Sequence, residues 1–330
     1  VLPGIWRLRL PCPWPGVPHV NAWAVAAGEG IVLFDTGIGG PGGSGQLELA
    51  LRQAGFSLAD VRLLVCTHAH GDHYGAAATV VGASGCELWL HPAWEHIRAS
   101  VESPDFAWER RIEVARQSGV GAEALQRYEQ RRGEPPVIDR IVEPDRELLP
   151  GVEIETDAGA WQVHETPGHA PSHVIFHQPK QRLMISGDHL LGRVSLFFDH
   201  GHSPDPVAEF LASLDRVERL DTGLCLAGHG RPFRSVAAKI GANRELVAEQ
   251  LGRVRSSLSS GPKPAFETVP ALLGDLYSPA TAGWGLQLAL AYLDHLELGG
   301  EAVPAREGER TVWRPAGAAE PPGPVLTRPD

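Results

Sequence analysis

The chain is poor in the residues that build cross-linked or membrane-spanning proteins. It has 4 cysteines in 330 residues, and Cys12, Cys66, Cys86 and Cys225 form no C-x-x-C pair. So sparse a set excludes a disulfide framework. Cys66 and Cys225 sit in apolar runs and read as buried free thiols. No apolar run approaches the ~18 residues of a membrane-spanning helix, so no membrane association is expected. Basic residues are also short: 29 Lys and Arg stand against 40 Asp and Glu, a net charge of −11. That balance argues against nucleic acid or an anionic membrane as a partner. Val1-Leu2-Pro3 opens no basic stretch followed by an apolar one, so no secretory signal is visible and the cytoplasm is the expected compartment.

What is present is ordinary for a globular protein, with 43% hydrophobic and 21% charged residues. Glycine and proline together supply 66 residues, which predicts many loops. Histidine is the unusual abundance: 15, against 9 Phe, 9 Trp and 4 Tyr.

Apolar runs and turn residues alternate along the first third. Val20–Ala27 and Ile31–Phe34, split by Gly28-Glu29-Gly30, predict a hairpin. A glycine-rich stretch follows Asp35-Thr36-Gly37. Leu47, Ala50, Leu51 and Ala54 then share a helical stripe, with Gly55 as a stop. Val61–Cys66 and Glu87–Leu90 read as strands, with a helix beginning over Ala76–Val81. Residues 93–134 are charged and helical, and read either as a surface insertion or as a lid over a site. Strands resume at Val152–Thr156, Trp161–Thr166, Val174–His177, Leu183–Ser186 and Gly223–Ala227, with a helix at Pro206–Leu220. Strand–loop–helix–strand order of this kind predicts a layered α/β domain.

Chemistry concentrates at strand ends. Thr67-His68-Ala69-His70-Gly71-Asp72-His73 puts three imidazoles and a carboxylate into six positions. Three more pieces follow strands: Thr166-Pro167-Gly168-His169, Ser186-Gly187-Asp188-His189 and Ala227-Gly228-His229-Gly230. Glycine beside each one permits a sharp turn. Imidazole and carboxylate suit zinc, and also accept manganese and iron. Five of these histidines with Asp72 and Asp188 make an inventory for two metals and a shared carboxylate.

The order H-x-H-x-D-H, then His, Asp and His, resembles the metallo-β-lactamase fold superfamily over about residues 20–234. The resemblance implies a four-layer αβ/βα sandwich over residues 1–235 with two metals, zinc first, at one end of the sheets. By position it implies His68, His70 and His169 for the first metal, Asp72, His73 and His229 for the second, and Asp188 as the bridging carboxylate. It implies that Asp35-Thr36-Gly37 supports the site without ligating. The reaction implied is hydrolysis of an ester-like bond by water activated between the metals, with Asp72 also orienting that water.

Other residues are weighed beside these. His173 and His189 are candidates for holding a ligand by a hydrogen bond, with structural roles as the alternative. Phe197 and Phe198 are candidates for an apolar pocket wall or for core. His200 and His202 have no assigned role. Residues 236–314 resemble the small winged-helix-like, helical C-terminal domain of one branch of the superfamily, some of whose members are endoribonucleases. Within this segment, residues 240–314 carry 7 Lys and Arg against 9 Asp and Glu, and no basic stripe is evident. A role in packing or in forming a homo-oligomer is therefore expected of it. Residues 315–330 read as a disordered tail. The expected substrate is a small carboxylic ester, lactone or thioester; an endoribonuclease or phosphodiesterase is the alternative, and β-lactamase activity ranks lower.

Overall fold

The computed structural model describes residues 2–14 and 16–317. Its first sheet runs β1 (Ile5–Trp14), β2 (Val17–Ala27), β3 (Gly30–Phe34), β4 (Val61–Val65), β5 (Glu87–Leu90) and β6 (Arg146–Glu147), neighbours pairing in that order. The second holds β7 (Glu153–Ile154), β8 (Trp161–Glu165), β9 (Val174–Gln178), β10 (Leu183–Gly187) and β11 (Leu224–Ala227). Helices α1 (Gly40–Gln53), α2 (Gly71–Tyr74) and α3 (Ala77–Ser84) belong to the first half. Helices α4 (Arg98–Glu102), α5 (Pro104–Gln117) and α6 (Ala122–Glu129) lie in the charged stretch. Helices α7 (Pro206–Glu218), α8 (Val236–Leu258), α9 (Val269–Leu273) and α10 (Ala282–Leu298) follow, with a small sheet of β12 (Lys263–Pro264), β13 (Ala302–Glu307) and β14 (Arg310–Pro315). Among the described residues, no helix is long and apolar enough to cross a membrane.

Side-chain alternation explains why the two sheets stack. On β3, Ile31 and Leu33 face one apolar cluster with Leu47 and Leu51 of α1 and Val80 of α3. Val32 and Phe34 face the other way, toward Trp161, Val163, Phe176 and Ile185 of the second sheet. On β9 and β10 the intervening residues Ile175 and Met184 point outward, onto Val207, Phe210 and Leu214 of α7. A strand covered on both faces needs apolar residues at every position, which is why these strands read as continuous runs. The result is four layers, helix–sheet–sheet–helix, as the resemblance implied. The inter-sheet layer is anchored by Phe34, whose ring lies 5.0 Å from Phe176 and 5.7 Å from Trp161.

Several boundaries differ from the expectation. Strand β1 was not foreseen: Arg7 and Arg9 alternate with Trp6, Leu8 and Leu10, but Pro11 and Pro13 disguise the run. Helix α1 starts at Gly40, inside the stretch read as loop; Gly39 caps it and Pro41 fits its first turn, where a missing N–H costs nothing. The strand expected over Val152–Thr156 shrinks to Glu153–Ile154. The tail expected from residue 315 loses Pro315 to β14, and lies outside the described residues from 318 on.

The charged helical stretch is fastened at its start and at the end of α5. At its start His96 comes against Asp199. Beyond α5, the Phe266 amide donates to the Ser118 carbonyl, and Val114, Ala115 and Val120 join the apolar cluster shared by α7, α8 and α10. That cluster also carries the C-terminal segment onto the outer face of the second sheet. Further ties are the Trp284 indole donating to the Leu196 carbonyl, His200 paired with Asp294 and His295 paired with Asp205.

The inter-sheet ring contacts set a test of this packing. Phe176→Ala should remove about 3–5 kcal/mol of stability, read from the denaturant midpoint of unfolding. A loss below about 1 kcal/mol would contradict the packing described.

Candidate metal centre

Parallel pairing brings the loops to one edge. Phe34 lies beside Val65 and Gly187 beside Ala227, so Asp35, the His68–His73 loop, Asp188 and His229 all leave the sheets at the same end. The two sheets are joined there. The Val174 amide donates to the Thr67 carbonyl (2.8 Å) and the Asn21 amide to Gly228 (2.6 Å), while within the first half the Thr36 amide donates to His73 (2.7 Å). Glycine is required at two of the turns. Gly168 has φ +126°, and a Cβ at Gly228 would collide with Asp188 Oδ1 and the His73 ring.

All seven residues singled out in the sequence converge. His68 Nε2 lies 3.1 Å from His70 Nδ1, and His169 Nε2 lies 3.0 Å from the same atom. His73 Nε2 is 3.6 Å from Asp72 Oδ2, and His229 Nε2 is 3.3 Å from it. Asp188 lies between the groups, with Oδ1 3.4 Å from His73 Nε2, and Oδ2 3.1 Å from His229 Nε2 and 3.8 Å from His169 Nε2.

Each histidine is held from behind. The outer ring nitrogens face acceptors: His73 Nδ1 and Asp35 Oδ2 (2.8 Å), His229 Nδ1 and the His19 carbonyl (2.7 Å), His169 Nδ1 and the Phe197 carbonyl (3.2 Å), His70 Nε2 and Asp199 Oδ2 (3.2 Å). Thr67 gives its hydroxyl proton to Asp35, so its oxygen is free to accept from His68 Nδ1 at 3.0 Å. These partners assign the tautomers, so that in each neutral ring the inner nitrogen is the one whose lone pair faces the cluster.

Lone pairs 3 Å apart with no proton between them repel, unless a cation sits among them. Nitrogens bound tetrahedrally at ~2.0–2.1 Å stand about 3.3 Å apart, close to the spacing seen. The buried Nε2 of His73 and Oδ1 of Asp188 have no hydrogen-bond partner. The donor set therefore suits metal binding, with one group at His68, His70 and His169 and another at Asp72, His73 and His229.

Electrostatics agree. Burial pushes His68 well below the ordinary imidazole range and takes His169 down to about 4, so both are neutral, as ligands must be. Burial also opposes charge on Asp188 and His229, but each offsets it for the other: Asp188 falls well below the usual carboxylate range and His229 rises to about 10. His73 rises well above its ordinary value despite burial, driven by Asp72, Asp188 and Asp35. Two carboxylates thus demand positive charge from the second trio.

The weighed residues sort clearly. His173 accepts from the Asp188 amide at Nε2 (3.1 Å), with Thr166 Oγ1 2.8 Å from its Nδ1, so it fixes the bridging turn. His189 holds no ligand: both its nitrogens are without partners, and its ring lies 5.0 Å from Phe210. Phe197 stands against His70 and His169 at 5.9 and 5.6 Å, whereas Phe198 is core. His202 comes within 3.9 Å of Asp199. Asp199, Asn21 and Thr67 were missed, and no local pattern marks them. Asp199 is 129 residues from His70, and Asn21 reaches the Ala227 carbonyl across 206.

Known proteins can now be set beside this geometry. Residues 15–229 match the family model of the metallo-beta-lactamase superfamily. A probable metallo-hydrolase of Bacillus subtilis, YqjP, is 26% identical over 82% of this chain and 85% of its own. An atrochrysone carboxyl ACP thioesterase of Aspergillus terreus is 22% identical over 72% of this chain, which spans only 58% of that protein. The crystal structure of the metallo-beta-lactamase family protein TTHA1429 from Thermus thermophilus superposes with a TM-score of 0.79 at 26% identity, covering 95% of this chain and 99% of that one. Sheet order, converging ligand loops and sequence match lead to one assignment: the chain belongs to the metallo-beta-lactamase superfamily and is a metallo-hydrolase.

Proposed function

We propose that this protein is a zinc-dependent hydrolase of a small carboxylic ester, lactone or thioester. The observation that carries the reading is the convergence of two ligand trios on Asp188. In this reading His68, His70 and His169 hold one zinc, Asp72, His73 and His229 hold the second, and Asp188 serves both. Nitrogen and oxygen donors favour zinc, with manganese or iron as the same site's other occupants. When bound, the metals supply Lewis acidity toward the substrate carbonyl and bring the pKa of water near neutrality.

The chain's own residues do the rest. Asp72 orients the attacking water and takes its proton. Asp188 keeps the two trios at a fixed separation, with its amide pinned by His173. Phe197 covers the His70 and His169 side with an apolar surface, which keeps bulk water from the carbonyl.

Fold and ligands do not choose a substrate. The thioesterase among the relatives supports a carbonyl electrophile. The net charge of −11 favours a small molecule over RNA.

Three outcomes are expected. Elemental analysis of protein expressed with ample metal should give close to two zinc per chain; less than one would remove the two-metal site. Asp188→Asn should lower kcat/KM by at least about 100-fold, with the circular dichroism spectrum retained; unchanged turnover would take Asp188 out of the site. In a panel of thioester, lactone, aryl ester, bis-(p-nitrophenyl) phosphate and short RNA, carbonyl substrates should be turned over first. RNA cleavage without ester turnover would reverse the assignment.

A further inference from the structure

On the His229 side of the cluster, the edge of the first sheet carries charges that none of the roles above uses. Strand β1 pairs antiparallel with β2, with Arg7 opposite Trp23, Arg9 opposite Asn21 and Pro11 opposite His19. Alternation puts Ile5, Arg7 and Arg9 on one face of β1, and Trp23, Asn21 and His19 on the same face of β2. Ile5 and Trp23 belong to the inter-sheet core. Farther along the strands the second sheet ends at Ala227, and on that face the apolar positions give way to arginine, asparagine and histidine.

Hydrogen bonds fasten this patch to the metal ligand. Arg7 Nε donates to Asn21 Oδ1 at 3.0 Å, and Asn21 Nδ2 donates to the carbonyls of Ala227 (2.8 Å) and Gly230 (2.9 Å), on either side of His229. The His19 carbonyl accepts from His229 Nδ1, and the His19 ring is 3.3 Å from Arg9 Nη2. Arg231 follows Gly230 directly. Arg7 is half-buried, and burial, then Arg9 and Arg231, lower its pKa, which sets three cations within electrical reach of one another.

Among the described residues, none of the three has a carboxylate partner; Arg7 and Arg9 meet Asn21 and His19 instead. In a chain with 40 acidic residues, carboxylates are available to neutralise such a cluster. Gathered and unpaired, guanidinium groups repel one another, and their planar forks match the oxygens of a phosphate or carboxylate.

We propose that Arg7, Arg9, Arg231 and His19 form an anion subsite that grips a phosphate or carboxylate of the substrate away from the bond that is cut. The proposal rests on the hydrolase reading above and narrows its substrate class to anionic esters or thioesters. Binding energy from this remote group holds the carbonyl at the metals. Two arginines on β1 and a third on the loop after His229 suit a single anionic group rather than a polynucleotide track, which calls for a continuous basic stripe.

The test uses zinc-replete protein and two thioethers that cannot be hydrolysed: S-methyl-coenzyme A for phosphate and S-methylglutathione for carboxylate. Calorimetric titration should show binding of one of them, which identifies the anion, and the Arg9→Gln/Arg231→Gln double variant should weaken it at least tenfold. In parallel, the ratio of kcat/KM for the matching acetyl thioester to that for neutral S-acetyl-N-acetylcysteamine should fall at least tenfold in the variant, mainly through KM. Failure of both thioethers to bind, or equal binding by the variant, overturns the subsite. So does tighter arginine-dependent binding of a short RNA. Arginine-dependent thioether binding without turnover of any ester or thioester upholds the subsite and overturns the hydrolase reading instead.

Discussion

The site depends on one buried carboxylate. Asp35 closes β3 in the left-handed region, with φ 64°, a conformation that costs a non-glycine residue energy and is kept only where the surroundings fix it. Here they do. Its amide donates to the Val65 carbonyl, Oδ1 accepts from the Thr67 amide at 2.7 Å, and Oδ2 lies 2.8 Å from His73 Nδ1. The Thr67 hydroxyl touches both oxygens. One side chain thereby sets where the ligand loop leaves β4, which nitrogen of His73 faces inward and, through Thr67, which nitrogen of His68 does. A carboxylate this buried is stable only with such partners, and removing either side leaves the other uncompensated. The strain at Asp35 and the order of the ligand loop are therefore two ends of the same set of bonds.

Much of this was legible from sequence because its signals are local. The ligand loop compresses four donors into six positions, and the later ligands each follow a strand and sit beside a glycine. Strands β3, β9, β10 and β11 are covered on both faces, so they appear as uninterrupted apolar runs. The illegible parts are those whose meaning comes from distant residues. Strand β1 hides because Pro11 and Pro13 interrupt the alternation of Leu8 and Leu10 with Arg7 and Arg9. The N-terminal turn of α1 hides because glycine and proline there serve a helix start. Asp199, Asn21 and the Phe197 carbonyl orient ligands from 28 to more than 200 residues away. His189 takes the structural alternative: adjacent to Asp188 in the chain, it turns away onto Phe210.

The helical stretch and the C-terminal segment bear on the site through their anchoring. His96 and His202 approach Asp199, which orients His70, so the stretch begins on the shell around the first trio. The end of α5 and the turn after it share an apolar cluster with α8 and α10. Helix α10 in turn holds the loop that carries Phe197 and Asp199, through Trp284 on Leu196 and Asp294 on His200. The C-terminal segment thus buttresses the wall of the first trio, a structural role that requires no nucleic-acid surface.

Charge distribution joins the metal cluster to the arginine patch. The second trio contains Asp72 and meets Asp188, so without metal its histidines take protons in the cation's place. The first trio has no carboxylate of its own and stays neutral by burial. Cationic density is thereby required where Asp72, His73 and His229 meet. Arg7, Arg9 and Arg231 lie just beyond it, coupled to His229 through Asn21 and His19. Metal charge at His229 would raise the cost of that arginine cluster, and an anion among the guanidinium groups would lower it. In the proposed subsite a metal at His229 and an anion among the guanidinium groups would offset each other's charge, and Asn21 ties the two places together, accepting from Arg7 and donating to the carbonyls on either side of His229.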